Sequence, residues 1–157
     1  MKQEAEIVDF FREILDAVSK YGLKVVTTYI EKIHYDLKNS YEFDIFNYIL
    51  EKTSKHYTIE KSFILKSKKR LDVSEARKMC FALMKEHLPL SDEEIGKYFG
   101  GRSRQYVNKE LMKSPLNQDT LTTKHETKFV EDFLVLTKDV DIFKKSYNIE
   151  NKIKLHE

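Results

Sequence analysis

The chain has 157 residues, of which 41% are hydrophobic, so it is long enough and apolar enough to bury the core of one domain. Only 4 glycines and 2 prolines are present, too few for the many turns of a β-sandwich or barrel. A net charge of +2 and a single cysteine exclude an extreme charge balance and an internal disulfide. The polar start, and the lack of an apolar run of about 20 residues, predict a cytoplasmic protein with no membrane partner.

Apolar residues recur at helical spacing throughout the first third of the chain. The first run ends at Gly22, which we expect to serve as the C-cap of its helix. A second run follows at once, and Asn39 and Ser40 are expected to separate it from a third. A short turn of helix is expected within 57–65. The three longer predicted helices span residues 7–18, 23–37 and 43–56.

A basic loop and a helix with an apolar face come next. The helix pattern covers residues 73–87 and ends before Pro89. Cys80 lies on the apolar face, where we expect a small core residue rather than a nucleophile. The loop that precedes this helix contains four basic residues, Lys66, Lys68, Lys69 and Arg70.

Two capping signals mark the helices that follow. Ser91 is placed as an N-cap, and Glu94 completes a capping box at the start of the first helix. A Gly-Gly turn at 100–101 provides backbone angles that side chains disfavour. Ser103 can then cap a second helix that ends before Pro115. A last helix is predicted over 126–145, with a polar tail from residue 146 that frays.

The two helices around the Gly-Gly turn have the layout of a helix-turn-helix. Ile95 and Phe99 of the first helix would point inward, and Gly96 would allow the helices to approach closely. The second helix would begin at Ser103 and present Arg and Gln, which bond to guanine and adenine edges. Residues 66–109 hold 11 Lys/Arg against 6 Asp/Glu, while the remainder holds 17 against 20. This local excess is either a phosphate-facing surface or ordinary surface charge.

These motifs resemble the C-terminal DNA-binding domain of the bacterial replication initiator DnaA. That family has a basic loop, an Ala/Pro-Arg-Gln helix, a Leu-Ser-x-x-Glu-Ile-Gly helix and a Phe-Gly-Gly-Arg-Asp-His-Thr-Thr-Val turn and recognition helix. This chain has Leu-Ser-Asp-Glu-Glu-Ile-Gly at 90–96 and Phe-Gly-Gly-Arg at 99–102, with Val107 in register. The resemblance covers about residues 59–113. A phosphate-binding loop of the type Gly-x-x-x-x-Gly-Lys-Ser/Thr does not occur in the sequence.

The resemblance implies contacts to double-stranded DNA from three places. The basic loop would lie at or near the minor groove, and Arg77 and Lys78 match the family's Arg-Gln pair, which touches bases and backbone. Arg102 would contact the backbone, and the next four residues replace the family's Asp-His-Thr-Thr, the core of its base readout. Arg104 and Gln105 favour adjacent guanine and adenine, so we expect a site other than the family's box. The expected DNA contacts are Lys66, Lys68, Lys69, Arg70, Arg77, Lys78, Arg102, Ser103, Arg104, Gln105 and Tyr106.

The expected fold is therefore all-α, a helical bundle containing a DnaA-like helix-turn-helix with flanking N-terminal helices and one C-terminal helix. We expect an N-terminal helical extension at 1–40, the helix-turn-helix domain at 41–114, and a linker, helix and tail at 115–157. The wide apolar faces near 7–18 and 129–143 could pack on each other or form a homodimer. The five histidines show no metal-ligand spacing.

Two classes of function remain open on this sequence. The first is a DNA-binding protein of a bacterium or phage that reads the major groove, acting in transcription control or as an accessory replication factor. The alternative is an interaction module that keeps the helix-turn-helix scaffold but binds protein. No catalytic constellation stands out, so we expect no enzymatic activity, no cofactor, no metal and no bound nucleotide.

Overall fold

The computed structural model describes the backbone of residues 2–66 and 70–154, and their side chains except those of 2–6, 33–35, 37–39, 149 and 151–154. Within the described backbone every regular element is helical, so the fold is all-α as predicted. None of the helices in that part of the chain is both long and apolar enough to cross a membrane. The α-helices are α1 (Lys2–Tyr21), α2 (Leu23–Tyr57), α3 (Lys61–Lys66), α4 (Leu71–His87), α5 (Asp92–Tyr98), α6 (Arg104–Met112) and α7 (Lys124–Lys154), with a 3-10 turn at Pro115–Asn117.

Two helices continue past the residues at which the sequence pattern predicts an end. Asn39 and Ser40 lie inside α2 instead of ending a helix, because their helix propensities fall only about 0.5 kcal/mol below that of Ala, far from the cost of Pro. α7 continues through Ser146, where a frayed tail is the expectation. The Ser146 hydroxyl donates to the carbonyl of Ile142 one turn earlier (3.1 Å), which is compatible with an unbroken helix.

The chain divides into two compact units, Met1–Phe43 and Asp44–Glu157. In the first unit, Gly22 ends α1 with a φ of +87°, the left-handed conformation expected of a C-cap glycine. α2 begins at the very next residue. Among the side chains of the first unit that the structure describes, Glu42 alone is buried, so this unit has almost no core of its own.

The core of the second unit surrounds α4, which packs against α3, α5, α6 and α7. Ten of the 17 residues of α4 are buried, and the Phe81 ring meets the Phe99 ring edge-on with their centroids 4.8 Å apart. Each large apolar side chain buried in this way contributes about 1.5–3 kcal/mol to folding. Cys80 is fully buried, as predicted, and burial raises the pKa of its thiol to about 12.

α7 closes the second unit by packing its apolar stripe onto the rest of the core. Phe129, Leu136 and Val140 are buried. The second half of α2 lies along the same helix, since the rings of Tyr48 and Phe143 stack with their centroids 4.0 Å apart. The apolar face near 129–143 is therefore largely occupied within the chain.

Candidate nucleic-acid interface

The turn between α5 and α6 is built on Gly96. Its carbonyl oxygen accepts hydrogen bonds from the amides of Phe99 (3.1 Å) and Arg102 (3.0 Å), which fold the chain back on α5. A Cβ atom at Gly96 would overlap the Arg102 carbonyl oxygen, so glycine is required for this close approach. Gly100 and Gly101 have φ angles of +73° and +75°. The sequence-predicted turn is thus present, with the glycines in the roles expected of them.

Both predicted caps are formed. The Ser91 amide donates to Glu94 Oε2 (2.7 Å), and the Glu94 amide donates to Ser91 Oγ (3.3 Å), completing the capping box. Ser103 Oγ accepts from the Tyr106 amide (3.2 Å), which starts α6 at Arg104. The cap therefore places Arg104 and Gln105 in the first helical turn, where both are exposed.

α6 is held in place by a buried side chain and by polar contacts. Val107 is fully buried against the core, while Leu111 is half-buried. On the polar side, Asp92 accepts hydrogen bonds from Asn108 Nδ2 (3.2 Å) and Lys85 Nζ (2.8 Å), so its carboxylate joins α4, α5 and α6. The Lys85 ammonium, followed by Asn108, holds the pKa of Asp92 below its ordinary value of 3.8, against the opposing effect of burial.

Sequence reasoning missed the link through Asp92. An acidic residue at the start of α5 is sufficiently explained by the helix dipole, so the pattern gives no reason to seek a second role. Asn108 lies 16 residues away along the chain, and no periodic spacing relates the two. Only the close packing around Gly96 brings them together.

The expected DNA contacts differ in exposure. Lys66 and Arg70 flank the basic loop and are exposed, and Arg70 Nη2 lies 2.8 Å from Asp72 Oδ2 in a surface ion pair. Lys78 is half-buried on α4, and Ser103 is exposed. Two further expected contacts, Lys68 and Lys69, lie outside the described residues.

Arg77 is the least exposed of the expected DNA contacts that the structure describes, because only 2% of its surface is accessible. Its Nε donates to the carbonyl of Ile64 (2.7 Å) and its Nη2 to the carbonyl of Phe63 (3.1 Å). These carbonyls belong to the last turn of α3, where a positive charge is favourable. Arg77 therefore fixes the end of the helix from which the basic loop departs.

Tyr106 connects Arg77 with Arg102. Its hydroxyl oxygen lies 3.4 Å from Arg77 Nη1, and the Arg102 guanidinium carbon sits 4.7 Å from the centre of its ring, a cation–π contact. Burial first, and then the positive charge of Arg77, lower the pKa of Arg102. Two guanidinium groups thus repel each other across one tyrosine at the edge of α6. Tyr106 and the Glu110 carboxylate act in the opposite direction on the pKa of Arg102.

The chain was compared with known protein families, curated proteins and solved structures. Residues 46–113 match the family model described as "Bacterial dnaA protein helix-turn-helix". Neither a search of curated proteins nor a search of solved structures finds a match to the chain. The matched segment runs from the second half of α2 to just beyond α6 and contains all of the expected DNA contacts. The resemblance predicted from the motifs is confirmed: residues 46–113 are similar to the helix-turn-helix of bacterial DnaA.

Proposed function

We propose that this protein reads the major groove of duplex DNA with α6, as a regulator of transcription or an accessory factor in replication. The observation that carries the proposal is the placement of Arg104 and Gln105. Both are exposed in the first turn of a helix that Val107 anchors in the core. The N-terminal turn of the second helix is the part of a helix-turn-helix that contacts base edges.

The remaining contacts would go to the phosphate backbone. Arg102 and Ser103 flank the start of α6, and Lys66 and Arg70 flank the basic loop. Phosphate contacts fix register and orientation but carry no sequence information, so these residues would set affinity rather than specificity. Because Arg77 is buried and donates to the last turn of α3, it would position that helix end rather than contact the duplex.

We further propose that the protein acts without catalysis, in the cytoplasm of a bacterial cell. The sequence carries no phosphate-binding loop of the Gly-x-x-x-x-Gly-Lys-Ser/Thr type, which a nucleotide-driven initiator of this kind would use. A role at a replication origin would then be accessory to a protein that has one.

The test is a mobility shift on a pool of random duplexes, titrated with salt. Affinity should fall steeply as salt rises: the logarithm of the binding constant should decrease against the logarithm of salt concentration with a slope of about −0.9 for each phosphate neutralised.

Lys69→Ala should weaken binding to all sequences alike. Arg104→Ala should instead lower the binding free energy at a preferred site by about 1–3 kcal/mol and reduce the discrimination between bases there. Lys138→Ala, on the exposed face of α7, is the matched control and should leave binding unchanged.

Selection from the same pool followed by sequencing then defines the site. If the selected sequences are enriched in adjacent guanine and adenine, this supports readout by Arg104 and Gln105. Recovery of the family's own box contradicts this reading of α6. If the protein binds no duplex even at low salt, the DNA-binding proposal fails, and the scaffold is better explained as a protein-binding module.

A further inference from the structure

The first unit leaves most of its apolar side chains accessible. Between residues 7 and 30, ten large hydrophobic side chains are each 46–67% exposed. Scattered apolar residues are normal on protein surfaces, but a contiguous set of this size marks an interaction site. The set lies entirely on α1 and the first half of α2.

Five of these ten side chains line a groove of about 980 Å³ between α1 and α2. Its walls are aliphatic and aromatic apart from Glu13, and all of its lining residues belong to the first unit. The two helices are therefore joined at Gly22 without filling the space between them. The side chains that line it include Phe10, Ile14 and Tyr21 of α1 and Val25, Tyr29 and Ile30 of α2.

The apolar stripe of α1 is too wide for a single neighbour. Placed at 100° per residue, positions 7, 8, 10, 11, 14, 15, 17, 18 and 21 cover about half of the helix circumference. Positions 10, 14, 17 and 21 face the groove. Phe11 and Leu15 lie on the rest of the arc and are 59% and 67% exposed. A helix needs such a stripe when it packs against two neighbours, as in a four-helix bundle.

We propose that this surface is an interface with a second copy of the chain. With about 90 Å² exposed on each, the ten side chains present roughly 900 Å² per copy, and a stable complex buries about 800 Å² per partner. Residues 7–32 carry four Lys/Arg and four Asp/Glu, so electrostatics neither oppose self-pairing nor select a partner of opposite charge. Two copies related by a two-fold axis would complete each other's groove as a four-helix bundle.

The proposed pairing is argued from the surface of the first unit alone and does not depend on DNA binding. One consequence does rest on the proposed function: a dimer would carry two α6 helices and favour two half-sites in a palindromic arrangement. Measuring the oligomeric state of the free protein keeps the two proposals separate, because a dimer that binds no DNA, or a monomer that does, is easily recognised.

The test is sedimentation equilibrium of the full chain from about 1 to about 100 µM, where a dimer has twice the 18.7 kDa mass of one chain. We expect the wild-type chain to dimerise within this range. Phe10→Glu and Tyr29→Glu should each raise the dimer dissociation constant about 100-fold, because every substitution places two charges in a symmetric apolar interface. The matched control is Leu134→Glu on α7, a residue of similar exposure (54%), which should leave dimerisation unchanged.

Circular dichroism and urea unfolding of each variant test whether its fold survives. Phe10 and Tyr29 are more than half exposed, so neither substitution should unfold the second unit. A wild-type chain that stays monomeric at about 100 µM overturns the proposal. A dimer that survives both groove substitutions, or that the Leu134→Glu control dissociates, places the interface elsewhere and overturns it equally.

Discussion

Arg77 and Arg104 carry the same guanidinium group in opposite surroundings. Arg77 is buried and donates to two carbonyls at the end of α3, whereas Arg104 is exposed at the first turn of α6. The family pattern makes both of them expected DNA contacts, since it records residue types and not accessibility. A substitution that keeps the apolar stem but removes the charge therefore distinguishes a positioning arginine from one that contacts DNA.

Arg77→Met should lower the free energy of unfolding by about 1.5–3 kcal/mol, because it leaves buried carbonyls without their charged donor. Arg104→Met should change that free energy by less than about 0.5 kcal/mol, since its side chain is exposed. Urea denaturation followed by circular dichroism measures both. A stable Arg77→Met protein that has lost DNA binding would show that Arg77 itself contacts the nucleic acid.

Gly96 gives a second prediction at this scale. Gly96→Ala should destabilise the protein by about 3 kcal/mol, because the new methyl group meets the Arg102 carbonyl and backbone cannot yield as a flexible side chain can. Gly101→Ala has open space and should cost only about 1–2 kcal/mol, from its positive φ. Thermal or urea unfolding of the two variants shows which substitution destabilises the protein more. Equal costs at the two positions would mean that the turn relaxes more easily than its geometry indicates.

At the scale of the elements, the carboxylate of Asp92 ties three helices together, and the link is sensitive to pH. The pKa of Asp92 is lowered in the folded chain, so the folded protein binds this proton more weakly than the unfolded chain does. The resulting stability is fully present above the ordinary value of 3.8 and is lost as pH falls through the lower folded value.

Asp92→Asn should therefore be less stable than the wild-type chain near neutral pH and should lose less stability on acidification. The free energy of unfolding, measured at about pH 6 and about pH 2.5, tests this. Other carboxylates such as Glu126, whose pKa is also lowered, titrate in both proteins, so their effects cancel in the comparison. An identical loss of stability in the two proteins would contradict a role for Asp92 in joining the helices.

The helices and caps that depend on neighbours in sequence could be predicted. Ser91, Glu94 and Ser103 form the bonds that their spacing indicates, and Gly22 ends α1, because each of these signals acts within four residues. The bonds of Arg77 to α3 could not be predicted, since they span 13 and 14 residues without a periodic signal. The continuity of α2 was missed for another reason: weak helix formers do not interrupt a long helix.

At the scale of the whole molecule, the buried side chains are distributed unevenly. Every buried residue that the structure describes, apart from Glu42, lies between Ile45 and Val140. A shortened chain that begins at residue 41 should therefore fold cooperatively, with a midpoint of urea unfolding close to that of the full chain. Circular dichroism and denaturation test this directly. A chain of 41–157 that is unfolded would show that the first unit supplies part of the core.

The burial of Cys80 has a practical consequence for experiments on this protein. The thiol is fully enclosed, and with its pKa raised to about 12 almost none of it is thiolate near neutral pH, so it should react slowly with maleimides and oxidants. A cysteine introduced at an exposed position away from α6, such as Lys138 on α7, would then be labelled selectively without removing the native one. Pairs of fluorophores or spin labels attached in this way could measure distances between protein copies, or from protein to duplex, on an otherwise unmodified chain.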